Sequence, residues 1–103
     1  MNILNDDKFQ EAISSGKPVL VDVYTQWCPP CKVLSPILEN LEKEYAGKVD
    51  FYKIDLDQNP VVGNTFGIDK IPTVMLFNNG EVKSYFVGLR EEKDIKNWIN
   101  NKI

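Results

Sequence analysis

The two cysteines of the chain, Cys28 and Cys31, stand in the run Thr25-Gln26-Trp27-Cys28-Pro29-Pro30-Cys31-Lys32. Thiols at this spacing can close a small disulfide ring and reopen it, passing two electrons to or from another sulfur pair. As a staple the pair is poor, because the loop it closes is so short. A disulfide scaffold built for export would carry several such pairs. Structural zinc takes four nitrogen or sulfur ligands, and this chain has no histidine and no second cysteine pair. An iron–sulfur cluster would require two chains to share one site. The stretch Asp55-Leu56-Asp57-Gln58-Asn59 imitates the start of a calcium loop, but Pro60 replaces the glycine needed at the sixth position and Phe66 the glutamate at the twelfth. No metal and no cofactor is expected, and thiol–disulfide exchange is the chemistry that the pair favours.

Which sulfur does what depends on the elements that hold them. Val19 to Tyr24 is β-branched and apolar on both faces, the pattern of a central strand covered on both sides. From Pro29 the apolar spacing turns helical: Leu34, Leu38, Leu41 and Tyr45 fall on one face, Ile37 lies beside them, and Gly47 is the stop. Cys28 therefore precedes Pro29 at a helix N-terminus, where unpaired N–H groups and the helix dipole stabilise a thiolate. Cys31 lies three residues before Leu34 and shares the buried face. The expectation is an exposed nucleophile at Cys28 and a shielded, resolving thiol at Cys31.

Asp22 interrupts the central strand on the face of Leu20 and Tyr24. Either that face is solvated there, or a buried carboxyl of raised pKa lies beneath the cysteines and moves a proton to or from Cys31. Lys53, between Tyr52 and Ile54 in a second strand, is either the charge partner of Asp22 or simply exposed. Strand pairing is not legible from these residues.

Around this centre, Asn5 reads as an N-cap ahead of Asp6 and Asp7, with Phe9, Ala12 and Ile13 at helical spacing and Gly16 beyond them. Val49 to Leu56 is the second strand, and a short helical piece runs from Pro60 to Gly67. Thr73 to Phe77 is a third strand, and Asn79-Gly80 turns it into Glu81 to Val87. Ile95, Trp98, Ile99 and Ile103 make the stripe of a closing helix. A minor strand at Ile3-Leu4 would open the chain. The fold class is α/β: a central mixed sheet of four to five strands, helices on both faces and an antiparallel C-terminal hairpin. At 103 residues, 43% apolar and 26% charged, residues 1–103 make a single domain. A net charge of −3 with scattered lysines argues against nucleic acid as a partner. No apolar run approaches a membrane span, and Met1 to Asp7 lacks the features of a signal peptide, so the cytoplasm is the expected compartment.

Taken together, Val21 to Lys32, Pro36, Asp57-Gln58-Asn59-Pro60, Gly67-Ile68, Ile71-Pro72-Thr73, Phe77, Asn79-Gly80 and Val87-Gly88 closely resemble the thioredoxin family in order and spacing, over essentially the whole chain. The resemblance implies a monomeric protein-disulfide reductase in which Cys28 attacks and Cys31 resolves. By the same likeness Asp22 is the proton-transfer carboxyl, Lys53 its neighbour and Pro72 a cis-proline. On spacing alone Pro72 is only a strand start. Trp27, Ile71, Pro72, Val87 and Gly88, with Pro29 beside them, match the groove that holds an extended substrate segment. Pro36 matches the proline that bends the helix. The implied partners are disulfide-containing proteins and a flavin-containing, NADPH-dependent thioredoxin reductase.

Two positions depart from the family pattern. Pro29 stands where glycine is usual, and Tyr24 where a second tryptophan is common. The double proline removes two N–H donors from the Cys28 sulfur and leaves that of Cys31. Besides a general reductase, two other readings fit: a dedicated redox partner of narrow specificity, or a non-catalytic binding subunit that uses the groove around Trp27 and Pro72.

Overall fold

The computed structural model describes residues 1–103. Its elements are β1 (Asn2–Leu4), α1 (Asp6–Ile13), β2 (Val19–Tyr24), α2 (Pro29–Glu44), β3 (Asp50–Asp55), α3 (Pro60–Phe66), β4 (Thr73–Asn78), β5 (Glu81–Val87) and α4 (Glu92–Lys102). The five strands form one sheet in the order β1-β3-β2-β4-β5. β1 and β2 run parallel to β3, whereas β4 is antiparallel to β2 and β5 to β4. This is the mixed α/β sheet with an antiparallel C-terminal hairpin that the resemblance implies. The opening strand makes it five strands, because Asn2–Leu4 pairs with Tyr52–Ile54.

β2 is apolar on both faces apart from Asp22, because both faces are covered. Leu20 points with Phe51, Val74 and Leu76 into a core closed by Leu34, Leu38 and Leu41 of α2 and by Ile95 and Ile99 of α4. Val19, Val21 and Val23 point the other way, with Met75 and Phe77, against Phe9 and Ile13 of α1 and Val62 of α3. Fully burying one such aliphatic side chain contributes about 1.5–3 kcal/mol. Phe77 also meets Phe9 and Phe66 edge-on, with centroids 5.5 and 5.6 Å away. These helices clamp β2 from both faces, and the cysteine turn departs from its C-terminal end.

The hairpin turn forms as its residues demand. Asn79 and Gly80 have φ of 54° and 80°, the left-handed pair that a two-residue turn between twisted strands requires. Helix ends differ from the sequence expectation. α1 closes on Ser14 and α2 on Tyr45, each by a backbone N–H, so Gly16 and Gly47 lie beyond the caps. Ile103 is half exposed and stands outside the stripe of α4, which ends at Ile99, because the helix is finished before the residue can turn inward.

Asn5 caps α1 as expected, its Oδ1 accepting from Lys8 N–H at 2.9 Å. Asp6 does something the local pattern does not reveal. Its carboxylate accepts from Val61 N–H and Val62 N–H at 3.1 and 3.0 Å, capping α3 from the neighbouring helix on the same face of the sheet. Asn59, the residue before α3, accepts from Asp6 N–H and donates to the Asp55 carbonyl, both at 2.9 Å. The two helix starts are thus latched to each other and to the end of β3. No helix is long and apolar enough to cross a membrane.

Candidate active site

Cys28 is the N-cap of α2, with extended backbone, and the two residues after it are prolines without N–H groups. The first amide available to its sulfur is that of Cys31, which donates to Cys28 Sγ at 3.2 Å. The two residues are joined as a disulfide, with their Cα atoms 5.3 Å apart. The expected contrast in exposure is absent. Cys28 is 3% exposed and Cys31 4%. A short side chain set between the exposed Trp27 and Pro29 has little surface left, whatever its role. The asymmetry lies instead in what each residue faces.

Cys31 lines a cavity of about 130 Å³ together with Asp22, Tyr24, Thr25 and Lys53, and Cys28 does not. Asp22 is 1% exposed, so the solvated alternative does not hold for it. Its Oδ1 has no hydrogen-bond partner, and neither has Thr25 Oγ1 beside it. Burial strips water from the charged form and raises the Asp22 pKa to about 7, with Lys53 pulling the other way. The register pairs Asp22 with Lys53 and puts both on one face of the sheet. Lys53 is half-buried, its ammonium 5.6 Å from the centre of the Tyr24 ring.

Sheet register also brings the distal residues to this end of the molecule. Val23 pairs with Thr73, and Thr73 with Val87, so the loop before β4 and the end of β5 lie beside the end of β2. The Ile71–Pro72 peptide bond is cis. Gly88, at φ 93°, donates its N–H to the Pro72 carbonyl at 2.8 Å, tying the two loops together. Pro72 is buried, Ile71 half-buried, and Val87 is 44% exposed. Trp27 is 69% exposed and donates from Nε1 to Asp57 Oδ2 at 2.8 Å. Asp55, in turn, accepts from Gln26 Nε2 and from Asp57 N–H. Sequence reasoning gave Asp57, Asp55 and Thr25 no part in the site. The signal for Asp57 was its place just after a strand; the bond to Trp27 spans 30 residues.

A family model described as Thioredoxin matches residues 1–101. The chain belongs to the thioredoxin family. It is 44% identical over 103 residues to the thioredoxin of Rickettsia felis, covering 99% of this chain and 98% of that one. The thioredoxin of Buchnera aphidicola is 41% identical over 101 residues, covering 97% and 94%. A chloroplastic M-type thioredoxin of Pisum sativum is 44% identical over 89 residues, covering 85% of this chain and 52% of the pea protein. With its cysteines joined at the start of α2, this member of the thioredoxin family is a thiol–disulfide oxidoreductase that acts on protein disulfides. Disulfide substrates and a reductase are the general partners of that chemistry.

Proposed function

We propose that residues 1–103 work as a single, monomeric domain that reduces protein disulfides in the cytoplasm, with Cys28 as nucleophile, Cys31 as resolving thiol and Asp22 as the proton carrier. The observation that carries the division of roles is that Cys31 alone shares a cavity with the unpartnered carboxyl of Asp22.

In the reduced protein the Cys28 thiolate attacks one sulfur of a substrate disulfide, and the other substrate sulfur leaves as a thiolate. Cys31 then gives its proton to the Asp22 carboxylate and attacks Cys28 Sγ. The mixed disulfide breaks, the substrate is released with both sulfurs reduced, and the Cys28–Cys31 disulfide holds the two oxidising equivalents. A carboxyl with a pKa of about 7 exchanges protons in both directions near neutral pH, which suits a step run forward and backward. Lys53 opposes the rise in that pKa. Trp27, Pro29, Ile71, Pro72, Val87 and Gly88 form the groove in which an extended substrate segment pairs with backbone. A thioredoxin reductase returns the disulfide to the dithiol.

A Cys31→Ser variant is expected to accumulate substrates joined to Cys28, because no resolving thiol remains. A Cys28→Ser variant is expected to trap none. Trapping on Cys31 instead would reverse the assignment. Turnover of a generic disulfide substrate, driven by NADPH and a thioredoxin reductase, tests the general role, and failure there would point to a dedicated partner.

A further inference from the structure

Lys53 stands opposite Asp22 in the β2–β3 register, where its chain is long enough to reach the carboxylate. No ion pair forms between them. The lysine and N-terminal pairs of the molecule are made by Met1, Lys83 and Lys96. The Lys53 ammonium lies 5.6 Å from the centroid of the Tyr24 ring, while Asp22 Oδ1 is left unpartnered. Tyr24 follows Asp22 by two residues, on the same face and roughly 7 Å further toward the C-terminal end of β2. The lysine therefore leans along the strand toward the ring instead of across it toward the acid. A cation within about 6 Å of an aromatic centroid is attracted to the negative face of the ring. Burial and the nearby negative charges of Asp55 and Asp22 push the Tyr24 phenol up, so the ring is neutral where the exchange reaction runs.

From this geometry we propose that Tyr24 is a positioning residue: its ring captures the Lys53 ammonium and keeps it from closing an ion pair with Asp22, leaving the carboxyl free to carry the proton of Cys31. The functional part of this inference rests on the reading of Asp22 as proton carrier. None of the other charged groups forms an ion pair with the lysine. Cys31 and Lys32 approach from α2, and Lys32 is exposed. Asp55 follows on β3, occupied by Gln26 and the Asp57 amide. The β4 residue opposite Asp22 is Val74, which has no charge. Were the ring absent, an ammonium within about 4–6 Å would hold the carboxylate in its charged form to lower pH and weaken it as a proton acceptor.

The test is the titration of the Asp22 carboxyl carbon by NMR in the oxidised protein, in wild type and in Tyr24→Phe, Tyr24→Leu, Lys53→Met and the Tyr24→Leu, Lys53→Met double variant. Tyr24→Phe keeps the ring and is expected to titrate as wild type. Tyr24→Leu releases the lysine and is expected to lower the midpoint by roughly one pH unit. Lys53→Met is expected to raise it, and in that background Tyr24→Leu is expected to add nothing. An equal drop with and without Lys53 means that the ring only excludes water, and overturns the proposal. So does an unchanged midpoint in Tyr24→Leu, or a drop in Tyr24→Phe as large as in Tyr24→Leu. Tyr24→Met replaces the leucine variant should that one not fold. The signal comes from the carboxyl itself, not from turnover. An Asp22 that proves unnecessary for the exchange would sink the functional reading and leave the capture of Lys53 by Tyr24 still decided by the titrations.

Discussion

Trp27 Nε1 donates a 2.8 Å hydrogen bond to Asp57 Oδ2, so an indole that is 69% exposed is held in one orientation beside the disulfide. The carboxylate comes from the loop after β3, which is itself held by Asp55 and Asn59. A free surface indole would sample several rotamers and would have to be ordered each time a substrate binds.

Asp57→Ala is therefore expected to weaken substrate binding by about 1 kcal/mol, or roughly fivefold in KM, with kcat little changed. Steady-state kinetics on a disulfide-containing protein checks the split. A fall confined to kcat would place Asp57 in the chemistry instead.

Asp22 should make stability depend on pH. Its folded pKa, about 7, lies above the unfolded value of 3.8. Below pH 3.8 both states hold the proton and there is no penalty. As pH rises toward 7 the unfolded chain loses its proton first, so stability is lost across that window and then levels off. Asp22→Asn is expected to be more stable than wild type at pH 8, by up to about 4 kcal/mol, with the gain gone at the acid end of the window. Urea unfolding of the oxidised protein at both ends of the range measures it.

Pro29 leaves the Cys28 sulfur dependent on the single Cys31 N–H at 3.2 Å. Glycine at position 29 would add a donor that favours the thiolate, and would loosen the ring that favours the disulfide. Both changes stabilise the reduced form. Pro29→Gly is expected to be less reducing, by about 30 mV for each 1.4 kcal/mol, in equilibrium with glutathione. A variant equally or more reducing contradicts this.

Asp6 and Asn59 latch the starts of α1 and α3 to each other through three side-chain bonds, and Asn59 also holds the end of β3. Asp6→Ala and Asn59→Ala are each expected to cost about 1–2 kcal/mol. Their sum should exceed the cost of the double variant by about 1 kcal/mol, since each residue supports the other. Denaturant unfolding of the four proteins measures the coupling.

Several features were legible without coordinates because they are local. The helical spacing of Leu34, Leu38 and Leu41 placed Cys31 on the buried side of α2, and Asn79-Gly80 placed the hairpin turn. The cysteine spacing set the chemistry, and a proline pair limits the amides near Cys28 whatever surrounds them. The short strand β1 was legible only as a possibility, since three residues carry little pattern until β3 lies beside them.

What tertiary structure decided is everything that depends on strand register and on burial. A carboxylate in an apolar run is compatible with water on that face. Only the closing of α2 over β2 removes that water and drives Asp22 to a pKa of about 7. Only the β2–β3 pairing sets Lys53 opposite it, and only the three-dimensional lean of the lysine brings it to Tyr24. Asp6 is the first-turn acid of its own helix, as its sequence suggests, and also caps another, because a hydrogen bond is satisfied by proximity in space, not in sequence. Residue types determined that this chain can exchange electrons through sulfur. Which sulfur shares a cavity with the Asp22 carboxyl was decided by the fold, because solvation and distance, the quantities that set a pKa, exist only once the chain has packed.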